Sequence, residues 1–386
     1  MVEATPEEAA VDATAGGVTL ERLQAPVSIG GLRLPNRAIL APLAGVTDIP
    51  FRRLCNDMGA GYAFVEMLSA TAIRYRARRT LEMMRRHDKE ARLGVQLTGG
   101  SAGEIAEAIA FLDTQGFDSI DINMGCPVRK IVRKGWGSAL LLNPAGVREI
   151  VERAREATRL PLSVKIRVGY DADCINVAET AACIAEAGAV MLTIHGRTRN
   201  ERYGAPVRYD CIAEGFRQAR KAARPPVCVG NGNVLDRPSA LQMLRETHCD
   251  AVMISRGVLG NPWIFRELLG TRPHNPTLQE WLEGVLQHLA YHREHYGDNR
   301  MAAVVARKHL IWYMRGFRGS RAMREKLSVV ESLDDARDLF RRFASEHPPD
   351  AVRFEAEQAP AHDEDPSAAM DREHDRPLAD DHEPDR

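Results

Sequence analysis

The stretch Asp121-Ile122-Asn123-Met124-Gly125-Cys126-Pro127 has the alternation of a short β-strand that ends in an asparagine and leads one cysteine into a turn. In a parallel α/β protein, residues just beyond the carboxyl end of a strand face the active site. A free cysteine is often a small buried hydrophobe, but a turn flanked by glycine and proline is a poor place to bury a side chain. We therefore predict that Cys126 is a catalytic residue.

Short apolar runs alternate with stretches of helical periodicity between residues 37 and 256. Eight strand-and-helix units within about 220 residues indicate a (β/α)₈ TIM barrel rather than a doubly wound sheet. Helix start signals lie between the runs, such as the pair Ser101 and Glu104. The predicted strands are 37–42, 62–66, 92–97, 119–123, 162–168, 190–195, 227–230 and 251–255.

The pattern predicts four segments along the chain. The barrel is expected in residues 18–270, and the purely helical periodicity of 274–346 predicts a small C-terminal helical bundle. Residues 1–17 and 348–386 are acidic and contain few large apolar side chains. We therefore predict a disordered N-terminal segment and a disordered acidic tail.

The charge of the chain is unevenly distributed. The formal net charge is -1 at pH 7, yet residues 18–349 alone carry about +12 because both termini are acidic. A basic folded body favours a polyanionic partner, although arginines on a solvated surface would give the same charge.

Cysteine use and hydropathy indicate the compartment. Seven scattered cysteines include no C-x-x-C pair and have no His at ligand spacing, so we expect neither disulfides nor a metal site. No apolar run approaches the roughly 18 residues of a membrane span, and residues 1–17 do not resemble a signal peptide. We expect a cytoplasmic monomer that has no membrane partner.

Polar side chains recur where the predicted strands end. Lys165 and His195, with Gln96 and Asn123, offer hydrogen-bond donors that suit a planar heterocycle better than a metal, since no carboxylate cluster accompanies them. Lys165 could instead form a Schiff base. The predicted strand ends are Pro42, Glu66, Gln96, Asn123, Lys165, His195, Asn231 and Arg256.

Two glycine-containing turns follow the seventh and eighth predicted strands, at residues 230–233 and 255–257. The equivalent loops of TIM barrels commonly bind a phosphate, because glycine lets backbone N–H groups approach it. The turns therefore indicate a phosphorylated ligand, unless they are merely tight connections.

Basic residues cluster in two places. Arg129, Lys130, Arg133 and Lys134 follow Cys126, and Arg307 and Lys308 lie on a predicted helix with Trp312 and Tyr313. Basic residues interleaved with aromatics suit a nucleic-acid backbone, whereas a solvated helix face is the simpler alternative.

Four separated segments resemble signatures of the bacterial tRNA-dihydrouridine synthases. They are APLAGVTDIPFR at 41–52, DINMGCP at 121–127, LTIHGRT at 192–198 and NPWIF at 261–265. The similarity runs from about Ile29 to Ala344 and includes RKH at 307–309 and WY at 312–313.

The resemblance implies an FMN at the barrel mouth, NADPH or NADH as reductant, and tRNA as substrate. The chain has Asn233 where the family usually has Asp and Ser255 where it usually has Gly, so the detailed phosphate geometry is open. The implied FMN-binding residues are Pro42, Leu43, Ala44, Gln96, Lys165, His195, Asn231, Gly232, Asn233, Ser255 and Arg256. The substrate-binding residues that we infer are Asn123, Arg197, Arg307 and Lys308.

The chemistry of uracil assigns the role of Cys126. Reduction of the C5–C6 double bond takes a hydride at C6 and a proton at C5, and a thiol with a pKa of about 8.5 can supply that proton at neutral pH. Three alternatives stay open: a flavin-dependent reductase or dehydrogenase of a free pyrimidine such as dihydroorotate, a Lys165 aldolase, and an RNA-binding module without catalysis.

Overall fold

The computed structural model describes residues 20–271, 275–317 and 320–348. Its first elements, α1 (Leu20–Gln24) and the hairpin of β1 (Val27–Ile29) and β2 (Leu32–Leu34), precede the barrel. A methyl group at Gly30 would lie 2.9 Å from the Cγ2 atom of Val190, next to the amino end of a barrel strand. The hairpin therefore covers the end of the barrel opposite to Cys126.

Eight parallel strands form one sheet. Neighbours in the sheet follow chain order, except that the first strand pairs with the last. The backbone N–H of Leu40 donates to the Tyr62 carbonyl at 2.8 Å and so joins the remaining edges into a barrel. All eight predicted strands are present and the predicted fold class is confirmed. The strands are β3 (Ala38–Leu40), β4 (Phe64–Ser69), β5 (Gly94–Thr98), β6 (Ser119–Met124), β7 (Leu162–Gly169), β8 (Met191–Thr198), β9 (Val227–Asn231) and β10 (Ala251–Ile254).

Helices connect the strands, and several begin at the capping residues that the sequence indicates. The Ser101 hydroxyl accepts from the Glu104 backbone N–H at 3.2 Å, and Asp236 and Asn143 cap later helices in the same manner. The helices are α2 (Ile49–Asp57), α3 (Ala70–Arg74), α4 (Arg78–Met83), α5 (Ala102–Leu112), α6 (Arg129–Val132), α7 (Pro144–Glu156), α8 (Val177–Glu186), α9 (Tyr209–Ala219), α10 (Arg237–Thr247) and α11 (Ile264–Leu268).

The C-terminal part is helical, as predicted. Trp281 is fully buried, packs against Phe317, Phe340 and Phe343, and donates its indole N–H to the Tyr313 carbonyl at 3.1 Å. The helices are α12 (Leu278–Tyr296), α13 (Arg300–Tyr313), α14 (Ser320–Leu327) and α15 (Leu333–Ser345). The sequence analysis missed α14, because the helix has only three apolar side chains and half of its eight residues are charged.

Two glycines permit the close junction between the barrel and these helices. A methyl group at Gly260 would lie 2.1 Å from the Trp312 carbonyl, and one at Gly284 would lie 2.5 Å from the Trp263 ring. The NPWIF segment therefore belongs to the contact between the barrel and the C-terminal helices. This packing role accounts for the motif without a ligand.

Two predictions concern residues that the structure does not describe. The expected disordered N-terminal segment lies outside the described residues, and so does the acidic tail apart from Pro348. Among the helices of the described ranges, none is long and apolar enough to cross a membrane.

Candidate active site at the barrel mouth

A cavity opens at the carboxyl ends of the barrel strands. Its lining includes all eleven residues that the sequence analysis assigned to a cofactor, together with Cys126 and Asn123. Residues from the loop after β3 through the loop after β10 thus meet in one place. The lining is Ala41, Pro42, Leu43, Ala44, Met67, Gln96, Asn123, Gly125, Cys126, Pro127, Val128, Lys165, Arg167, His195, Tyr203, Asn231, Gly232, Asn233, Val234, Leu235, Ser255 and Arg256.

Hydrogen bonds connect the barrel interior to the cysteine turn. Asp121 accepts from the Ser163 hydroxyl at 2.5 Å and from the Gln96 amide at 2.8 Å. The Gln96 carbonyl oxygen then accepts from the Asn123 amide at 2.9 Å. The Asn123 oxygen in turn accepts from the backbone N–H of Cys126 at 2.8 Å. Asn123 therefore positions the cysteine turn, besides facing the cavity as a candidate substrate contact.

Further bonds hold Cys126 from the other side. Its carbonyl accepts from the Ser138 hydroxyl at 2.9 Å, and the adjacent Gly125 carbonyl accepts from Arg167 at 2.9 Å. Gly137 has a φ of +58°, and a methyl group there would lie 2.8 Å from the Cys126 carbonyl. Burial raises the pKa of the Cys126 thiol above its ordinary value, against the opposing effects of Arg167 and Lys165. The thiol is therefore protonated at neutral pH and can act as an acid.

Lys165 and Asn231 form a polar pair across the cavity. The Lys165 ammonium donates to the Asn231 side-chain oxygen at 3.0 Å, and the Asn231 amide donates to the Ser255 hydroxyl at 3.0 Å. Burial lowers the pKa of Lys165 to about 8, with Arg167 acting in the same direction. Ser255 thus extends this hydrogen-bonded pair to the end of β10.

His195 is a buried, neutral member of the cavity. Burial is the main cause that holds its pKa well below the ordinary value, and the nearby cations Arg167 and Lys165 add to it. Its Nδ1 atom has no hydrogen-bond partner among the described residues. A buried polar atom without a partner is costly, so this nitrogen indicates a ligand atom that would complete its hydrogen bonding.

The loop after β9 offers a second place for a ligand. Asn233 has a φ of +49°, which Asn tolerates, and its side-chain oxygen accepts from Arg197 at 3.0 Å and from Arg256 at 2.8 Å. The backbone N–H groups of Gly232, Asn233 and Val234 have no acceptor within the described chain. Free backbone N–H groups next to an arginine suit an anion such as a phosphate.

Three of the four residues assigned to the substrate lie away from the cavity lining. Arg197 is 0% exposed and donates to the Ala205 carbonyl at 2.7 Å as well as to Asn233. The guanidinium of Arg197 therefore supports the Asn233 loop from behind, and a direct contact between Arg197 and the substrate stays a prediction. Arg307 is on α13 and donates twice to the Val330 carbonyl, at 2.7 and 3.0 Å. These bonds tie Arg307 to the segment between α14 and α15.

Lys308 lies beside the cavity, in what we call the junction groove between the barrel and the C-terminal helices. The groove meets the cavity at Ala44. Burial raises the pKa of Glu66 in this groove, and the charge of Lys308 acts against that increase. The groove is lined by Ala44, Gly45, Asp48, Ile49, Arg52, Glu66, Arg79, Glu82, Met83, Arg85, His295, Tyr296, Val305 and Lys308.

The sequence analysis missed three contributors to the site. Asp121 carries the network under Gln96, Arg167 holds the cysteine turn, and the guanidinium of Arg256 lies over the Tyr203 ring at 4.5 Å. Asp121 and Arg167 lie on the strands themselves, where the inward direction of alternate side chains could have indicated them. Tyr203 is in a loop without periodicity, so no comparable signal exists.

These features define a TIM-barrel enzyme. Its mouth combines a protonated thiol, hydrogen-bonding side chains suited to a planar ring, and a loop suited to an anion. The family model described as "Dihydrouridine synthase (Dus)" matches residues 39–347, and the chain belongs to this family. A "Probable tRNA-dihydrouridine synthase 1" of Synechocystis sp. is 39% identical over 321 residues, which are 81% of this chain and 88% of that protein. "tRNA-dihydrouridine synthase B" of Pseudomonas aeruginosa is 38% identical over 83% of this chain and 96% of its own.

A solved structure shares the fold at much lower sequence identity. Histamine dehydrogenase from Rhizobium sp. 4-9 superposes with a TM-score of 0.50 at 13% identity, over 70% of this chain. This chain spans about half the length of that protein, 51%. The likeness supports the barrel architecture alone.

Proposed function

We propose that this protein reduces the C5–C6 double bond of specific uridines in tRNA, with FMN as its cofactor and NADPH or NADH as reductant. The carrying observation is that Cys126 lines the same cavity as Gln96, Lys165 and His195. Membership of the dihydrouridine synthase family and flavin-dependent oxidoreductase chemistry agree with this arrangement. The cytoplasm and a monomeric state are part of the proposal.

The residues of the cavity fit FMN. The unpartnered Nδ1 of His195, the Lys165 ammonium and the Gln96 amide are donors or acceptors suited to a planar ring. The unbonded backbone N–H groups of the loop at 232–234, with Arg256, would hold the single phosphate. When bound, the cofactor supplies the hydride for C6 of the uracil ring.

Cys126 supplies the proton. Its raised pKa keeps the proton on Sγ at neutral pH, and the turn fixed by Asn123, Ser138 and Arg167 keeps the thiol aimed at the cavity. In the proposed step the Sγ–H bond breaks, the proton joins C5, and the thiolate is left to regain a proton from solvent. The cations Lys165 and Arg167 nearby stabilise that thiolate.

We further propose residues 274–346 as the tRNA-binding domain. Lys308 lies in the junction groove that leads into the cavity at Ala44, and the exposed basic residues of 129–134 follow the cysteine turn. A target uridine must leave its stack to enter the cavity, at a cost of a few kcal/mol that backbone contacts offset. Basic side chains on both sides of the entrance are placed to provide them.

The test is a reconstituted reaction. Purified protein is expected to be yellow, to release FMN, and to form dihydrouridine by mass spectrometry when given NADPH and tRNA from a strain that lacks the gene. Free uracil and dihydroorotate are the comparison substrates. Turnover of a free pyrimidine without turnover of tRNA would contradict the proposal, and a colourless protein that cannot be reconstituted would favour the Lys165 aldolase.

A further inference from the structure

A group of three histidines and one aspartate lies where the C-terminal helices meet the barrel. His288 and His292 are on α12, His309 is on α13, and Asp48 caps the amino end of α2. One ligand atom from each of these side chains lies within 4.8 Å of all the others. We call these four residues the junction cluster.

The junction cluster corrects one premise of the sequence analysis. His288 and His292 are four residues apart on one helix, so a pair of histidines does stand at ligand spacing. Neither histidine is near a cysteine in sequence, so the spacing of the cysteines gives no sign of them. His309 and Asp48 join them only through the fold.

The histidine nitrogens lack the partners that buried polar atoms normally have. Each of the three imidazoles is 1% exposed. Nε2 of His288 and both ring nitrogens of His292 and His309 have no hydrogen-bond partner among the described residues. The Val46 backbone affects the pKa of His309, but no ring nitrogen reaches hydrogen-bond geometry with it. Five orphaned nitrogens in one buried place indicate a missing ligand.

Neighbouring hydroxyls are arranged as partners of metal ligands. The Tyr313 hydroxyl bonds Nδ1 of His288 at 2.8 Å, which leaves Nε2 as the nitrogen available to a metal. The Tyr296 hydroxyl donates to one carboxylate oxygen of Asp48 at 2.9 Å. Such second partners orient ligands and are typical of metal sites.

The charges around the cluster permit a cation. A metal binds the neutral form of imidazole, and the burial of all three rings favours that form. The positive charge of Lys308 is close to all three rings and opposes a metal. The Asp48 carboxylate offsets that charge, because it is the acidic group that faces His292.

We propose that the junction cluster binds one Zn²⁺ ion, which joins the barrel to the C-terminal helices. Three imidazole nitrogens and one carboxylate oxygen are the number and kind of ligands that tetrahedral zinc takes. Zinc bonds of about 2.0–2.1 Å place neighbouring ligand atoms roughly 3.4 Å apart, so the side chains must draw together slightly on binding. This inference goes beyond the proposed function and does not depend on it.

The opposite reading is that the histidines only pack as rings. Phe51 lies 4.7 Å from the His309 ring and 5.5 Å from the His288 ring, and His292 stacks on Tyr296. Packing alone predicts no metal dependence. It also predicts that Tyr313→Phe, which keeps the aromatic ring, leaves zinc binding the same as in the parent protein.

The experiment measures zinc in the full-length, untagged protein. Metal is removed with a chelator, ZnSO₄ is titrated back, and bound zinc is counted by mass spectrometry of the element. We expect one zinc per chain for the parent and for the control His295→Gln, which changes a histidine on the same helix outside the cluster. His292→Gln should retain less than a tenth of that zinc, and Tyr313→Phe should bind it about 10- to 100-fold more weakly.

The melting temperature of the parent protein provides an independent measurement. It should rise with added Zn²⁺ and not with Mg²⁺, since a ligand that binds only the folded state stabilises it. This comparison needs no variant, so it decides the matter even when His292→Gln does not fold. A parent protein that binds no zinc at saturation, or a His292→Gln variant that binds it as the parent does, would overturn the proposal.

Discussion

The hydrogen-bond network beneath the cysteine turn and the junction cluster treat their buried polar groups in opposite ways. Around the cavity, Ser163, Asp121, Gln96 and Asn123 satisfy one another in a chain of hydrogen bonds that ends on the Cys126 backbone. In the junction cluster, five buried ring nitrogens have no partner in the described parts of the chain. The side chains of the first arrangement satisfy one another without a ligand, and they form a rigid base for the cysteine turn. The second requires a ligand to become complete, and this difference is the reason for proposing a metal in one place only.

The largest effect that we expect comes from Cys126→Ala. Loss of the proton donor should reduce dihydrouridine formation by about 10²- to 10⁴-fold, the usual contribution of a general acid, while flavin binding and NADPH oxidation persist. Product is measured by mass spectrometry after single turnover of pre-reduced enzyme. Cys174→Ala, which changes a cysteine outside the cavity lining, is the matched control. A product rate near that of the parent would remove Cys126 from the mechanism.

Asp121→Asn should have a smaller effect, and it tests whether the hydrogen-bond chain really is complete. Asp121 accepts two hydrogen bonds through its two oxygens, whereas Asn offers one oxygen and one NH₂ group that only donates, so either Ser163 or Gln96 loses its acceptor. A reoriented Gln96 would release Asn123, and we expect product formation to fall about 10- to 100-fold. Circular dichroism checks the fold.

The matched control for that variant is Asp118→Asn. Asp118 lies before the same strand and accepts from the Leu93 backbone N–H, away from the cavity. Equal rates for Asp121→Asn and the control would mean that the network beneath the cavity does not position the cysteine turn.

Arg307 and Lys308 are adjacent in sequence, yet the structure separates their expected roles. Lys308→Ala should make the dependence of log tRNA affinity on log salt shallower by about one unit, as expected for one phosphate contact. Arg307→Ala should leave that slope unchanged and lower the free energy of unfolding by about 1–2 kcal/mol, because its bonds to the Val330 carbonyl are lost. Salt titrations and urea denaturation of both variants measure the two effects. Identical slopes for Lys308→Ala and the parent would leave Lys308 as a solvated side chain.

The smallest expected effect concerns pH. Because burial raises the pKa of the Cys126 thiol, the acid stays protonated above the range of an ordinary cysteine. The protonated fraction of Cys126 should therefore stay nearly constant between pH 7 and pH 8.5, and a fall in product formation near pH 8 should follow the titration of Lys165, whose pKa burial lowers to about 8. Iodoacetamide should label Cys126 slowly over the same range, as measured by mass spectrometry of the peptide. A steep fall in rate together with rapid labelling would mean that the thiol titrates normally.

Local patterns in the sequence predicted the barrel and most of the cavity. Alternation within strands and the capping residues of helices act over a few neighbouring residues, so the eight strands and their order could be derived from the chain alone. Each strand end of a parallel barrel points to the same face, and Gln96, Lys165, His195 and Asn231 therefore meet without further information. Cys126 followed from the same rule.

The tertiary structure decided what happens between elements distant in sequence. Whether Arg197 faces a substrate or lies buried behind Asn233 depends on the packing of the loops after β8 and β9, which leave no periodic signal. The junction cluster joins Asp48 on the barrel to histidines about 240 or more residues later, because α12 packs against α2 and the His309 ring of α13 contacts Phe51 of α2. By itself the sequence determined which residues end the strands of the barrel and face its mouth. Only the fold decided which buried nitrogens remain without partners, because a hydrogen bond depends on distances that chain order does not specify.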